Sequence, residues 1–233
     1  MSVKIFADGA NIEEMLKMYE SGLVSGFTTN PSLMKKGGVT DYKKFSKEVL
    51  SKISEVPVSF EVFSNDLEEM YKEAKEISSW GDNVYVKIPI MTIDRKSTKD
   101  LIKKLSDENI KVNVTAIYSI EQIKETVAAL NPNTKAYVSV FAGRISDAGY
   151  DHMPIMKEAV KICSEKKNAL LLWASTREIY NIHQANELGV DIITVPNEMI
   201  YKYSKRGTSL EELSYQTVKT FAEDIEKLGF KIL

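Results

Sequence analysis

NVYVKIP (residues 83–89) is a β-forming run with a single cation, Lys87, near its centre. Lysine is almost never fully buried without a partner or a task. Alternation gives the first frame for it. Val84, Val86 and Ile88 share one face of an extended chain, and Tyr85 and Lys87 share the other. Seven more short β-rich runs surround this one: VKIFA (3–7), VSGFT (24–28), PVSFEVF (57–63), KVNVTA (111–116), AYVSVFA (136–142), ALLLWA (169–174) and DIITVP (191–196).

Helical patterns lie between the runs. In DLEEMYKEAKEISSW (66–80), Leu67, Met70, Tyr71, Ala74 and Ile77 fall on one face. SIEQIKETVAAL (119–130) opens with Ser119 and has Gln122 three residues on, the pattern of a capping box. Pro154 suits the first turn of PIMKEAVKICSEK (154–166). Gly189 is placed to end TREIYNIHQANELGV (176–190), and Gly229 to end the closing helix SLEELSYQTVKTFAEDIEKLGF (209–230).

Eight strands alternating with seven helical segments predict right-handed crossovers and a parallel sheet. In a chain of 233 residues that count matches a closed (β/α)8 TIM barrel with a C-terminal helix, read as one domain over 1–233. A doubly wound open sheet is the rival. It usually carries a glycine-rich phosphate turn after its first strand, and ADGANIEE (7–14) has one glycine.

Composition excludes several classes. The chain is 43% hydrophobic and 27% charged, ordinary for a globular protein with a full core. A net charge of −2 gives no basic field for nucleic acid or a membrane surface. No apolar stretch approaches membrane-spanning length, and the N-terminus lacks a signal-peptide core. Cys163 is the only cysteine, and His152 and His183 have no ligand spacing, so neither a disulfide nor a metal centre is expected. These features predict a cytoplasmic protein.

The alternation seen around Lys87 repeats. Val58, Phe60 and Val62 oppose Ser59 and Glu61, and Val112 and Val114 oppose Asn113 and Thr115. Val138 and Val140 oppose Ser139 and Phe141, and Ile5 and Ala7 oppose Phe6 and Asp8. One face suits a helix layer. The other carries polar groups near the C-terminal ends of strands, where barrel enzymes build their sites. Asp8, Thr29, Asn30, Glu61, Lys87, Asn113, Thr115, Ser139 and Ser175 would then converge at one mouth. Desolvation favours the neutral form of a buried amine, which can attack a ketone and form a Schiff base. Glu61 and Asp8 are the carboxylates that could move protons beside it. The plain structural alternative is a Lys87–Glu61 ion pair that only positions the fold.

Several motifs carry a family resemblance. FADGAN (6–11), TTNPSL (28–33), EV (61–62), VKIP (86–89), NVTAIYSIEQ (113–122), SVFAGRI (139–145) and WASTRE (173–178) resemble the transaldolase family, in order and at matching spacing. The length resembles the short subfamily, which also contains fructose-6-phosphate aldolases. The resemblance implies a lysine Schiff base with no metal or organic cofactor. It assigns the Schiff base to Lys87, the retro-aldol proton to Asp8, and a water-mediated acid–base role to Glu61 with Thr115 holding the water. Asn30 and Asn113, joined by Ser139, would hydrogen-bond the dihydroxyacetone unit, with Thr29 and Phe141 as further substrate-binding residues. Arg144, Ser175 and Arg177 would bind the phosphate of a sugar substrate. Assembly of copies through the C-terminal helix and a place in the pentose phosphate pathway are also implied.

Glu61 and Phe141 resemble true transaldolases, since the aldolases carry Gln and Tyr there. Phenylalanine makes that corner drier and favours transfer over release of free dihydroxyacetone; the alternative is that Phe141 merely fills the barrel. Three departures bear on the sugar. DGAN replaces the more usual DTAN, GRISDAG (143–149) lacks the paired acids that often follow GR and an aliphatic residue, and Glu178 adjoins Arg177. A class I aldolase, a transaldolase-like enzyme for a non-standard sugar, and a non-catalytic sugar-binding barrel remain as rivals.

Overall fold

A computed structural model describes residues 2–232. Eight parallel strands close a barrel in chain order: β1 (Lys4–Asp8), β2 (Phe27–Thr28), β3 (Val58–Glu61), β4 (Val84–Pro89), β5 (Val112–Ile117), β6 (Ala136–Val140), β7 (Ala169–Trp173) and β8 (Ile192–Pro196). Closure is made by β1 against β8, from Lys4 opposite Ile192 to Asp8 opposite Pro196. The (β/α)8 expectation is met, and no open sheet edge remains among these strands.

Helices α1 (Ile12–Glu20), α2 (Pro31–Lys36), α3 (Tyr42–Lys52), α4 (Leu67–Ser78), α5 (Lys99–Asp107), α6 (Ile120–Ala129), α7 (Ala142–Asp147), α8 (Met153–Ser164) and α9 (Tyr180–Leu188) lie between strands. The short α2 and α7 add to the seven expected segments. Both follow strand ends directly and bring Asn30 and Arg144 to the mouth. The caps obey local chemistry. Ser119 and Gln122 close a capping box on α6. Gly189 ends α9 at φ 79°, a left-handed conformation glycine adopts without steric cost.

The described residues fall into two compact units, the barrel to Ile200 and a segment from Tyr201. The second holds the latter half of α10 (Asn197–Ser204) and all of α11 (Leu210–Leu228), which begins at Ser209 as N-cap and ends at Gly229.

Strand alternation decides what faces where. Val58, Phe60, Val86, Ile88, Val112, Val114, Val138 and Val140 are fully buried aliphatic and aromatic positions of the outward face. Inside the barrel, Phe6, Tyr85 and Tyr137 pack with Leu172 and Ile192. Tyr85 and Tyr137 stack at 4.0 Å between ring centroids, and Phe6 meets Tyr137 edge-on at 5.7 Å. This aromatic plug fills the lower interior, so the polar residues two positions further along β1, β4 and β6 stand above a closed floor.

One strand is shorter than its sequence suggests. VSGFT reads as five β residues, yet β2 holds only Phe27 and Thr28. Gly26, just before it, is in close contact with the aromatic plug, because the Phe6 ring occupies the space a side chain there would need. A Cβ built on Gly26 would lie 2.6 Å from the Phe6 ring. Gly26→Ala is therefore expected to destabilise the barrel by about 1–3 kcal/mol in urea unfolding, through overpacking. The loss should shrink in a Phe6→Leu background; an equal loss in both backgrounds would rule out the ring as its cause.

Candidate active site

Lys87 lies inside the barrel, 6% exposed, with its neighbours fixed by strand register. Glu61 is its partner on β3 and Asn113 its partner on β5. Lys87 Nζ stands 3.2 Å from Glu61 Oε2 and donates to the Thr29 carbonyl at 2.8 Å. The ammonium is thus held by one carboxylate and one backbone oxygen, the minimum that makes burial of the charge tolerable.

A second carboxylate, Asp8, shares the cavity. Thr28 donates its hydroxyl to Asp8 Oδ1 at 2.7 Å, and Thr28 also contacts the Thr194 hydroxyl. Burial raises the Asp8 pKa above the ordinary value, outweighing the opposing pull of Lys87 and of the Thr28 hydrogen bond, while Glu61 adds to the rise. Desolvation of a carboxylate deep in a barrel is the cause.

On the other side of Lys87, Ser139 donates to Asn113 Oδ1 at 2.6 Å, and Asn113 Nδ2 donates to Ser59 Oγ at 3.0 Å. This chain fixes the orientation of the Asn113 amide. The Thr115 hydroxyl is buried, lines the cavity and finds no partner among the described residues. It sits beside an irregularity: pairing of β5 with β6 shifts between Val114 and Ile117, and Ala116 has φ 59°. Bulges of this kind re-aim side chains next to sites. Here Thr115, Ala116 and Tyr118 all come to the cavity wall.

The cavity encloses about 450 Å³. Of the residues expected at the site, Asp8, Asn30, Glu61, Lys87, Asn113, Thr115, Ser139, Phe141, Arg144, Ser175 and Arg177 line it. Thr29 does not. Its hydroxyl is turned to the Ser59 carbonyl at 2.8 Å, so only its own carbonyl reaches the site, through Lys87. Asn30 Oδ1 accepts from Leu33 N as the cap of α2, which leaves its amide nitrogen to the cavity. A groove of about 640 Å³ between α3 and α4 is larger, but it holds no comparable set of buried ionisable groups.

Arg144 lies over the Phe141 ring at 5.7 Å, and the Tyr118 ring packs against it at a tilt, with centroids also 5.7 Å apart. Arg177 forms an ion pair with Asp147. Sequence reasoning missed Thr28, Thr194, Tyr118 and Asp147. Thr194 was within reach, because it shares the inward face of DIITVP with Ile192. Asp147 had only its place after the GRI motif to mark it. Among the described residues, no group of three or more His, Cys, Asp or Glu side chains is placed to hold a metal ion, and no helix is long and apolar enough to cross a membrane.

A family model described as Transaldolase/Fructose-6-phosphate aldolase matches residues 5–232. A Dehalococcoides mccartyi protein named "Probable transaldolase" is 38% identical over 199 residues, which cover 85% of this chain and 88% of the relative. A Thermoplasma volcanium protein of the same name is 38% identical over 231 residues, with 97% of each chain covered. Another so named, from a Thermoanaerobacter species, is 34% identical over 231 residues, covering 99% of this chain and 100% of its own.

The raised Asp8 pKa has a consequence for stability. Between the ordinary value of 3.8 and the raised value, the folded state keeps a proton that the unfolded chain releases. Stability therefore falls as pH climbs through that interval, and ionised Asp8 is a net cost above it. Asp8→Asn keeps an acceptor for Thr28 but does not titrate. Urea midpoints measured across pH should show it more stable than the wild type at neutral pH, with the gap closing toward acid. A gap of constant size would refute this account of Asp8.

Proposed function

The chain belongs to the transaldolase/fructose-6-phosphate aldolase family, and we propose that it transfers a three-carbon dihydroxyacetone unit from a ketose to an aldose acceptor through a Schiff base on Lys87. The observation that carries this reading is the buried Lys87 amine, 3.2 Å from Glu61, in one cavity with Asp8. Glu61 is placed to receive the proton that frees the amine. The amine attacks the ketose carbonyl, and the carbinolamine loses water with Glu61 as acid. The unpartnered Thr115 hydroxyl supports a role in holding that water. Asp8 then takes the proton from the hydroxyl at the carbon to be cleaved. The carbon–carbon bond breaks, its electron pair flows into the iminium, an aldose leaves and an enamine remains. An incoming aldose reverses these steps, and water releases the product ketose.

Asn30, Asn113 and Ser139 are the polar groups around the dihydroxyacetone unit in this reading, and Arg144, Ser175 and Arg177 hold a phosphate. Arginine suits that task because its planar fork pairs two donors with an oxyanion. Phe141, in contact with Tyr118 and Arg144, keeps the enamine's surroundings apolar and favours transfer over hydrolytic release. The resulting place is the pentose phosphate branch of carbohydrate metabolism, in the cytoplasm.

Borohydride trapping tests the reading. Incubation with fructose 6-phosphate and borohydride should add the reduced three-carbon or ketose adduct to the Lys87 peptide by mass spectrometry. Lys87→Met should show no adduct, and Glu61→Ala should lose roughly 10²–10⁴-fold in kcat. An unmodified wild-type peptide would sink the Schiff base. Free dihydroxyacetone formed as fast without an acceptor aldehyde as transfer proceeds with one would make the protein an aldolase instead.

Self-association through α11 belongs to the same proposal. Leu210, Val218, Phe221, Ile225 and Leu228 recur on one face of that helix, and all are exposed. A second copy is the occupant the family likeness supports. Light scattering should give a mass above the 26.3 kDa of one chain, reduced to one chain by Phe221→Asp with Ile225→Asp. A wild-type protein of single-chain mass at micromolar concentration would refute it.

A further inference from the structure

Arg177 follows β7 at the rim of the mouth, and its side chain is 46% exposed. It is nonetheless held. Its Nε donates to both Asp147 carboxylate oxygens at 3.1 and 3.0 Å, and its Nη2 donates to Oδ2 at 2.5 Å. A guanidinium has five N–H groups in one plane. Asp147 takes the Nε–H and one Nη2–H. The two Nη1–H groups and the second Nη2–H form the remaining edge. Arg177 lines the cavity and Asp147 does not, so the carboxylate approaches from outside.

The backbone fixes this pairing. Asp147 is the last residue of α7, and Gly143 in the same helix is pressed against the turn that carries Arg177. A Cβ on Gly143 would stand 1.7 Å from the Ser175 carbonyl oxygen and 2.9 Å from Arg177 Cγ. Ser175 itself has φ 64°, a conformation uncommon for a residue with a side chain. Helix and turn are locked together at van der Waals contact, and Asp147 spans the same joint.

We propose that Asp147 is a positioning residue that holds Arg177 with its free edge toward the cavity, where that edge grips the anionic tail of the sugar. The proposal rests on reading Arg144, Ser175 and Arg177 as a phosphate grip. A long, half-exposed arginine loses rotamer freedom when it binds, and a tether removes that freedom beforehand. The pair is too exposed to add much to fold stability. Its effect falls on substrate affinity. Asp147 also returns one of the two positive charges that Arg144 and Arg177 bring, so an alternative has the opposite sign: the carboxylate competes with the tail, and its removal tightens binding.

The test compares the wild type with Asp147→Ala, Asp147→Asn and Arg177→Ala. The readout is the half-saturating concentration for borohydride trapping at Lys87, with fructose 6-phosphate and with fructose. Asp147→Ala should raise it roughly three- to tenfold for the phosphorylated sugar and leave it unchanged for fructose. The maximum trapped fraction and the thermal midpoint should stay near wild type. Asp147→Asn, of nearly the same shape, should fall between. Arg177→Ala should raise the value for the phosphorylated sugar at least as much as Asp147→Ala. If Arg177→Ala has that effect and Asp147→Ala has none, the positioning role falls and the phosphate grip stands. If Arg177→Ala changes nothing, the grip falls and the inference with it. Equal loss for both sugars would make Asp147 structural only, and tighter trapping would make it a competitor; either overturns the proposal.

Discussion

The contact on which the site depends is the one between Lys87 Nζ, Glu61 Oε2 and the Thr29 carbonyl. Taking an ammonium and a carboxylate out of water costs several kcal/mol per ion even after relaxation, and their attraction repays this only with good geometry and satisfied neighbours. A hydrophobic pair at the same place would serve the fold as well or better. The surroundings are arranged to make the charges tolerable. Thr29, just after β2, supplies a carbonyl, β3 a carboxylate, and the Ser139–Asn113–Ser59 chain a fixed set of dipoles on the far side. The aromatic plug of Phe6, Tyr85 and Tyr137 closes the interior below. A polar layer over an apolar floor explains why the ionisable groups gather at one end of the barrel.

Much of this was legible because strands have a period of two. Once NVYVKIP is read as a strand with Lys87 inward, the same rule sends Glu61, Asn113, Thr115 and Ser139 inward on their own strands, and all five line one cavity. The closed barrel was legible from the count of alternating units. Two kinds of feature escaped. The first depends on backbone departures from regularity. The irregularity at Ala116 and the close approach of Phe6 to Gly26 are features of tertiary packing, which local pattern does not contain. The second depends on which of two neighbouring hydroxyls points where. Thr28 and Thr29 look equivalent in TTNPSL, yet Thr28 turns to Asp8 and Thr29 turns to the Ser59 carbonyl. A two-residue strand fixes that choice through its pairing with Asp8 and Ser59, and the pairing is tertiary.

The mouth shows the opposite balance from the floor. Ala116 and Ser175 both hold positive φ and both line the cavity. Such conformations cost of order 1–3 kcal/mol for residues with side chains and persist where surrounding structure over-determines them. At Ser175 the over-determining element is visible, since α7 packs at Gly143 directly on its carbonyl. The regular part of the barrel provides the stability, and the irregularity within β5 and the turn after β7 spend some of it to aim Thr115 and Arg177.

Charge conservation gives the arrangement its coherence under the proposed chemistry. The iminium formed at Lys87 keeps the positive charge of the ammonium it replaces, so the pairing with Glu61 survives the covalent step. The elevated Asp8 pKa fits the same logic. Asp8 and Glu61 share one buried cation, Lys87, and low dielectric magnifies the cost of ionising both. Burial that disfavours the ionised form makes Asp8 the better proton acceptor. During cleavage a proton passes from the substrate hydroxyl to Asp8, and during addition it returns. Glu61 and Asp8 occupy the two sides of this exchange because their supports differ. Glu61 stands against the fixed cation, whereas Asp8 is held by a neutral hydroxyl from Thr28, a partner that serves the ionised and the protonated carboxyl alike. The acid that must change its protonation state at the reacting carbon is the one whose support tolerates the change.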